Sequence, residues 1–211
     1  MLPQLNLLTT ENKQHLYGGL RGDISEFLKY DISAHQREVD NLQLFQKSIL
    51  NDGSNAFAFN NAFEDIYDSG TVQTLTGMLR FLLTETVTFS LRGDYNQYDM
   101  DKFKEDPIGK PKLTGEADLI VKALKDRLIL SATGFYMGER PDELSYVNSL
   151  GSSVLKTRPS FVDANLKVSY QTHQNLSLYL QVLNLVGENY EDFVDYQVFS
   201  RQYRAGFFFK F

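Results

Sequence analysis

Apolar and polar residues alternate along most of the chain with a period of two. Leu28, Tyr30, Ile32 and Ala34 interleave with Lys29, Asp31, Ser33 and His35, and Val87, Phe89, Leu91, Gly93 and Tyr95 with Thr88, Ser90, Arg92, Asp94 and Asn96. Leu113, Gly115, Ala117 and Leu119 interleave with Thr114, Glu116, Asp118 and Ile120, and Val162, Ala164, Leu166 and Val168 with Asp163, Asn165, Lys167 and Ser169. Successive side chains of a strand point to opposite faces, so each stretch predicts a strand with one apolar and one wet face. The end of the chain shows it most sharply: Tyr203, Ala205, Phe207, Phe209 and Phe211 hold the odd positions, and the even ones include Gln202, Arg204, Gly206 and Lys210. The pattern predicts strands near 14–22, 26–37, 66–83, 85–98, 111–123, 126–138, 157–171, 174–187 and 201–211.

The connections between these strands alternate in length. Tight turns are expected near Asp23, Thr84, Asp126 and His173, and long polar segments at 36–64, 99–111, 138–157 and 187–201. In an antiparallel meander this puts every tight turn at one end and every long connection at the other, the asymmetry of transmembrane barrels. Alternation alone also fits a half-buried soluble antiparallel sheet. The expected fold is all-β, an antiparallel meander of nine to ten strands, with 56–60 as the possible tenth. With nine, the first and last strands run the same way and cannot close antiparallel, so the sheet is expected to be an open, incomplete barrel wall.

Composition narrows the classes. Among 211 residues no apolar run is long enough for a transmembrane helix, which leaves spanning strands untouched. Sixteen Phe and 12 Tyr suit interfacial girdles, although Trp is absent. Without Cys there is no disulfide framework, thiolate nucleophile or Cys-ligated metal site, and a formal charge of −6 argues against a nucleic-acid partner. No Gly-x-Ser-x-Gly and no phosphate-binding Gly loop with Lys supports catalysis, so neither an enzyme nor a bound cofactor is expected. The acidic residues Asp99, Asp101, Glu105 and Asp106 lack calcium-loop spacing. The three histidines, His15, His35 and His173, lie far apart, and none has a partner at metal-ligand spacing. The Arg-Gly-Asp triplets at 21–23 and 92–94 fall at a tight turn and inside a strand, poor places for an adhesion motif.

The polar positions form a mixed-sign set: Lys29, Asp31, His35, Arg92, Asp94, Glu116, Asp118, Asp163, Lys167 and Arg204. They read as a lumen wall that meets solute or a plug, or as ordinary wall packing with cross-strand salt bridges.

The terminal Phe211, with Phe209, Phe207 and Tyr203 at alternate positions before it, resembles the assembly signal that ends bacterial outer-membrane barrels. The preceding segment, an apolar strand ending in Asn184-Leu185 with Tyr190 shortly after, resembles the penultimate strand of TonB-dependent receptors. The resemblance implies a place in the outer membrane of a Gram-negative cell and a role in taking up a metal chelate, a vitamin or a glycan. It also implies partners: outer-membrane lipid, the barrel-assembly machinery, a small-molecule ligand, a plug domain and TonB. Met1-Leu-Pro-Gln-Leu-Asn-Leu-Leu does not read as a secretory signal. Residues 1–211 are therefore expected to be the carboxy-terminal part of a longer receptor, without its signal peptide and plug. A small autonomous barrel acting as passive pore or adhesin, and a soluble β-rich binding domain, are the other readings.

Overall fold

The computed structural model describes residues 9–47, 63–103, 107–147, 153–187, 189–193 and 196–211. In chain order the strands are β1 (Glu11–Ser25), β2 (Leu28–Lys47), β3 (Phe63–Thr84), β4 (Val87–Met100), β5 (Leu113–Ala123), β6 (Leu128–Met137), β7 (Arg140–Val147), β8 (Ser153–Arg158), β9 (Phe161–His173), β10 (Leu176–Leu183), β11 (Glu191–Phe193), β12 (Tyr196–Gln197) and β13 (Gln202–Phe209). Nine of them form one antiparallel sheet in the order β1-β2-β3-β4-β5-β6-β9-β10-β13, with β1 and β13 at its two edges. No ladder joins those edges among the described residues, so the wall is open.

Register explains the faces. One rung runs Leu20, Ile32, Gly77, Gly93, Gly115, Tyr136, Val162 across seven strands. The adjacent rung, displaced by one residue and therefore on the other face, runs Arg21, Asp31, Met78, Arg92, Glu116, Phe135, Asp163. At the far edge Val168, Leu180 and Ala205 share the first face, while Lys167, Gln181 and Arg204 share the second. The apolar face of β4 runs from Val87 to Tyr95 and gives way to Gln97, which lies in one rung with Gln73 and Gln36. That length matches the ~9–11 residues of a membrane-crossing strand.

The tight turns lie at Glu26–Phe27, Glu85–Thr86, 124–127 and Gln174–Asn175, all at one end of the sheet. Leu124, Lys125 and Asp126 each take a left-handed backbone, with φ of 54°, 57° and 65°. The other ends of the strands, Lys47 of β2, Met100 of β4, Met137 of β6 and Leu183 of β10, all lie at the opposite end of the sheet, hereafter the loop end.

Three expectations need correction. The Gly22-Asp23 pair marks a register shift between Asp23 and Ser25, and β1 continues to Ser25 before it turns. The segments 138–157 and 187–201 carry short hairpins of their own, β7–β8 and β11–β12. Third, the described residues of the long segment 36–64 are strand, since β2 reaches Lys47 and β3 starts at Phe63; the possible strand at 56–60 lies outside the described residues.

A β-bulge hid that extension. Val39 pairs with Gly70 and Leu42 with Asp68, so β2 spends one residue more than β3 between the two rungs. Val39, Leu42 and Leu44 thereby come to one face although their spacing breaks the period of two. Asn41 takes φ 53°. Its carbonyl accepts from the Thr10 hydroxyl at 2.8 Å and its N–H donates to Ser69 Oγ at 3.3 Å, so the unpaired residue is not left unsatisfied. Opposite, Gly70 has φ 154°, and a Cβ there would strike the Asp99 carbonyl oxygen and come 2.7 Å from Met100 Cα.

The bulged region buries Val39, Val72, Tyr98 and Met100 as one cluster and Leu44, Phe103 and Ile108 as a second, with Leu42 touching both. Each fully buried side chain of this kind contributes about 1.5–3 kcal/mol. Asp68, 2% exposed, fastens the covering turn: its carboxylate accepts from the N–H of Ser69 at 2.8 Å, Lys102 at 3.1 Å and Phe103 at 3.1 Å.

Candidate functional site

The polar face and the loop end together form the candidate site. All ten polar candidates fall on one face, but they do not converge. Near the turns, Lys29 pairs with Asp23 at 3.5 Å. Asp31 stands in its rung between Arg21 and Met78. At mid-height Arg92 Nε lies 3.4 Å from Asp94, and Asp94 accepts from the Thr76 hydroxyl at 2.6 Å. Glu116 faces Arg92 across the ladder, while Asp118 accepts from the Thr133 hydroxyl at 2.6 Å. Lys167 places its ammonium 5.3 Å from the centre of the Tyr179 ring, and Arg204 donates to Gln202 at 3.2 Å. These contacts lie within single strands, as Arg92–Asp94 and Arg204–Gln202, or between neighbouring ones, and leave the face lined by both signs.

Asp163 differs. It is 2% exposed and accepts from the Ala164 N–H at 2.6 Å and from the Tyr190 hydroxyl at 3.2 Å. The Tyr190 ring stacks on Phe161 at 3.8 Å and 11°, and the Arg140 guanidinium lies 5.4 Å from the centre of the same Phe161 ring. Arg140 also donates to the Glu191 carbonyl at 2.8 Å. The segment after β10 and the start of β7 are thus held to the top of β9. Asn184 begins that segment. With φ 50° and 5% exposure, it donates from its N–H to Asn165 Oδ1 at 3.2 Å and from Nδ2 to the Phe199 carbonyl at 3.1 Å. Its Oδ1 accepts from Gly187 N–H at 3.0 Å, an Asx-type turn that stops the strand. Leu185 follows, half-exposed, its N–H donating to the Ala164 carbonyl at 2.8 Å and its carbonyl accepting from Arg201 at 2.7 Å.

In the last strand, Tyr203, Phe207 and Phe209 stand opposite Val182, Leu178 and Leu176 on the apolar face, and Phe207 is 69% exposed. Phe211 follows the strand and meets Phe209 edge-on at 5.4 Å. Above the Gln97 rung, burial pushes the Tyr98 phenol up to about 12, against the opposing pull of Arg37, and its hydroxyl donates to the Pro111 carbonyl at 3.2 Å.

Three contributors were not singled out in the sequence, Asp68, Phe161 and Arg140, and a fourth, His15, was read there only as an isolated histidine. His15 Nε2 and His35 Nδ1 lie 3.2 Å apart, because the β1–β2 register closes the sequence gap between them. Only that register, with Tyr17 opposite His35, could have signalled it. Among the described residues no group of three or more His, Cys, Asp or Glu converges as a metal cluster; Glu105 and Asp106 lie outside them.

No protein-family model and no curated protein sequence matches the chain. Solved structures do. The pyoverdine outer membrane receptor of Pseudomonas aeruginosa, bound to pyoverdine, superimposes with TM-score 0.67 at 12% identity, over 93% of this chain and 29% of that one. The fold is that of a section of an outer-membrane receptor barrel. A mutant of the ferric enterobactin receptor from P. aeruginosa matches this receptor fold with TM-score 0.67 at 19% identity, over 93% and 31%. The copper transporter OprC matches with TM-score 0.67 at 13%, over 93% and 31%. The chain thus spans about three tenths of the length of these TonB-dependent receptor structures.

Proposed function

We propose that this chain is a nine-strand section of the wall of an outer-membrane receptor or transporter, of the TonB-dependent kind. One observation carries the reading. A continuous apolar face spans the whole open sheet and is backed by a polar, mixed-sign face. Leu20, Leu180 and Phe207 are 73%, 64% and 69% exposed on the apolar side. Soluble monomers rarely expose apolar patches beyond a few hundred Å², whereas lipid accepts such a surface and forbids open edges within it. The edges of β1 and β13 would accordingly pair with further strands of a longer receptor, and a plug domain would meet the polar face. This disfavours the self-contained pore or adhesin, which needs a closed wall, and the soluble domain, which needs a covered apolar face.

The work of such a wall is uptake rather than catalysis. Neighbours in fold carry pyoverdine or transport copper by their names, so a metal chelate is the favoured cargo over a vitamin or glycan. The barrel-assembly machinery and TonB are the protein partners this reading requires.

The test is the location and heat-modifiability of the full gene product. It should fractionate with the outer membrane, resist alkaline extraction, and migrate faster on detergent gels before boiling than after. A product recovered in the soluble fraction, with no shift on boiling, would overturn the proposal.

A further inference from the structure

On the apolar face, where the hydrophobic band gives way to the first polar rung, the surface of β1 to β4 is not flat. A cleft of about 470 Å³ opens there, within the ~300–1,000 Å³ of small-molecule sites. Gly18 and Ala34 form its floor, and the same rung continues into Leu75 and Tyr95, both about half-exposed, as an apolar wall. A Cβ on Gly18 would meet nothing within 4 Å. The chain's own packing therefore does not require glycine at that place, and the space above it is left open.

Two residues on toward the loop end, and so on the same face, stand Gln36, Gln73 and Gln97 as the polar rim. Gln73 Nε2 donates to Gln36 Oε1 at 3.3 Å. A primary amide carries two N–H donors and a carbonyl with two lone pairs, so that bond leaves the rim with both donors and acceptors to offer. Two residues further, Gln14, Glu38, Thr71 and Asp99 make the next rung. No basic residue stands in these three rungs of β1 to β4. Lys13, on the edge strand, is engaged by Asp40 at 2.7 Å.

From this order of surfaces we infer that the cleft binds one acylated sugar lipid, its chain over Gly18 and Ala34 and its sugar at the glutamine rim. The inference rests on the reading of the apolar face as lipid-facing, since the floor is continuous with that band. Amides both donate and accept, which suits hydroxyl and amide groups at the root of an acyl chain. The carboxylates of Glu38 and Asp99 accept from sugar hydroxyls and repel a phosphate, with no cation in these rungs to offset the repulsion. An anionic headgroup is therefore disfavoured. The cleft spans four strands, about 14 Å across, and two residues along them, about 7 Å. That footprint of about 100 Å² suits one lipid head and falls far below the ~800 Å² per partner of a stable protein interface.

Native mass spectrometry of the full gene product, purified from membranes, tests it. The protein is reconstituted into phosphatidylcholine nanodiscs that also hold monoglucosyl diacylglycerol and phosphatidylglycerol with the same chains, and the lipid retained after release into a zwitterionic detergent is counted. The parent should retain one glucosyl lipid in preference to phosphatidylglycerol by about tenfold, the equivalent of one or two net hydrogen bonds. Gly18→Leu fills the floor and should abolish retention. Gly77→Leu places the same side chain on the same face one rung away, where a Cβ also meets nothing within 4 Å, and should change nothing. Gln36→Leu/Gln73→Leu keeps the shape and should reduce the preference to parity. The heat-modifiable band identifies any variant that has not assembled, and the glutamine double variant decides the matter if Gly18→Leu is one. Equal retention of the two lipids by the parent, equal behaviour of Gly18→Leu and Gly77→Leu, or a dimer that Gly18→Leu dissociates would each overturn the site. Retention of detergent in place of either lipid would show an adventitious additive only, and would overturn it too. A parent absent from the membrane fraction defeats the lipid-facing reading itself, whereas one that assembles and holds no preferred lipid defeats this site alone.

Discussion

Between the turns and the rung of Gln36, Gln73 and Gln97, no residue of β1 to β4 is buried; beyond that rung Val39, Leu44, Val72, Tyr98 and Met100 all are. The same four strands thus solve two problems along their length. At the turn end the apolar side chains meet their cross-strand neighbours, as Phe81 meets Phe89 with ring centroids 6.0 Å apart, and wait for an external apolar medium. At the loop end they turn to the opposite face and pack against the chain's own connections, with Asp68 fastening the cover. The first region is stable only in its solvent; the second carries a small core that needs none.

Substitutions should separate the two. The largest effect belongs to the loop-end core. Leu44→Ala should cost about 2–5 kcal/mol, expressed locally as faster hydrogen exchange and proteolysis in 101–112, with membrane assembly retained. If that variant instead fails to assemble while its loops stay protected, the two regions are one cooperative unit. Next comes the apolar face. Leu180→Lys should cost about 2–4 kcal/mol near the bilayer centre and abolish the heat-modifiable band. Gln181→Glu, one residue on and facing Lys167 and Arg204, should assemble as the parent does. Equal outcomes at 180 and 181 would remove the difference between the faces.

A smaller effect is expected at the anchor of the last long connection. Tyr190→Phe keeps the stacking on Phe161 but loses the hydrogen bond to buried Asp163, a loss of about 0.5–1.5 kcal/mol. Protease sensitivity of 187–201 should rise in that variant, and no rise would show that stacking alone holds the segment.

The smallest effect lies beyond the apolar band, where Lys13 Nζ and Asp40 Oδ2 meet at 2.7 Å. Their hydrogen bond holds the Asp40 carboxyl below its ordinary range and raises Lys13 above its own. The carboxylate's contribution is present above its unfolded range and lost as pH falls through the depressed value; the ammonium's is lost as pH rises through the elevated one. The strand ends near Glu11 should therefore fray in acid and in strong alkali. Hydrogen exchange of β1 that is flat across pH, after correction for intrinsic rates, would contradict this.

The sequence made most of the turn end legible because, apart from register shifts beside the turns such as that between Asp23 and Ser25, little there interrupts the period of two. Leu28 to Ala34 and Val87 to Tyr95 read as strands and are strands. The loop end was less legible for a physical reason. Val39, Leu42 and Leu44 share a face only through the extra residue at Asn41, and a two-residue period cannot register a residue that belongs to neither face. Asn184, Leu185 and Tyr190 were visible through resemblance, but the buried carboxylate under Tyr190 and the Phe161 ring beside it needed coordinates. His15 and His35 were legible separately and not as a pair, since their meeting depends on register across a hairpin.

The bulge also governs how the length of this hairpin can change. Beyond Leu42 the two strands run in step, Leu44 with Ile66 and Lys47 with Phe63. Adding one residue to each strand at a paired position preserves the pairing, and adding two to each preserves the faces as well. Removing the single extra residue between Val39 and Leu42 reverses them, turning Leu42 and Leu44 away from Phe103 and Ile108. The outer part of the hairpin is therefore free to grow or shrink in even steps, whereas one position near its middle does not tolerate loss. Tolerance to insertion is set by the parity of the change rather than its size.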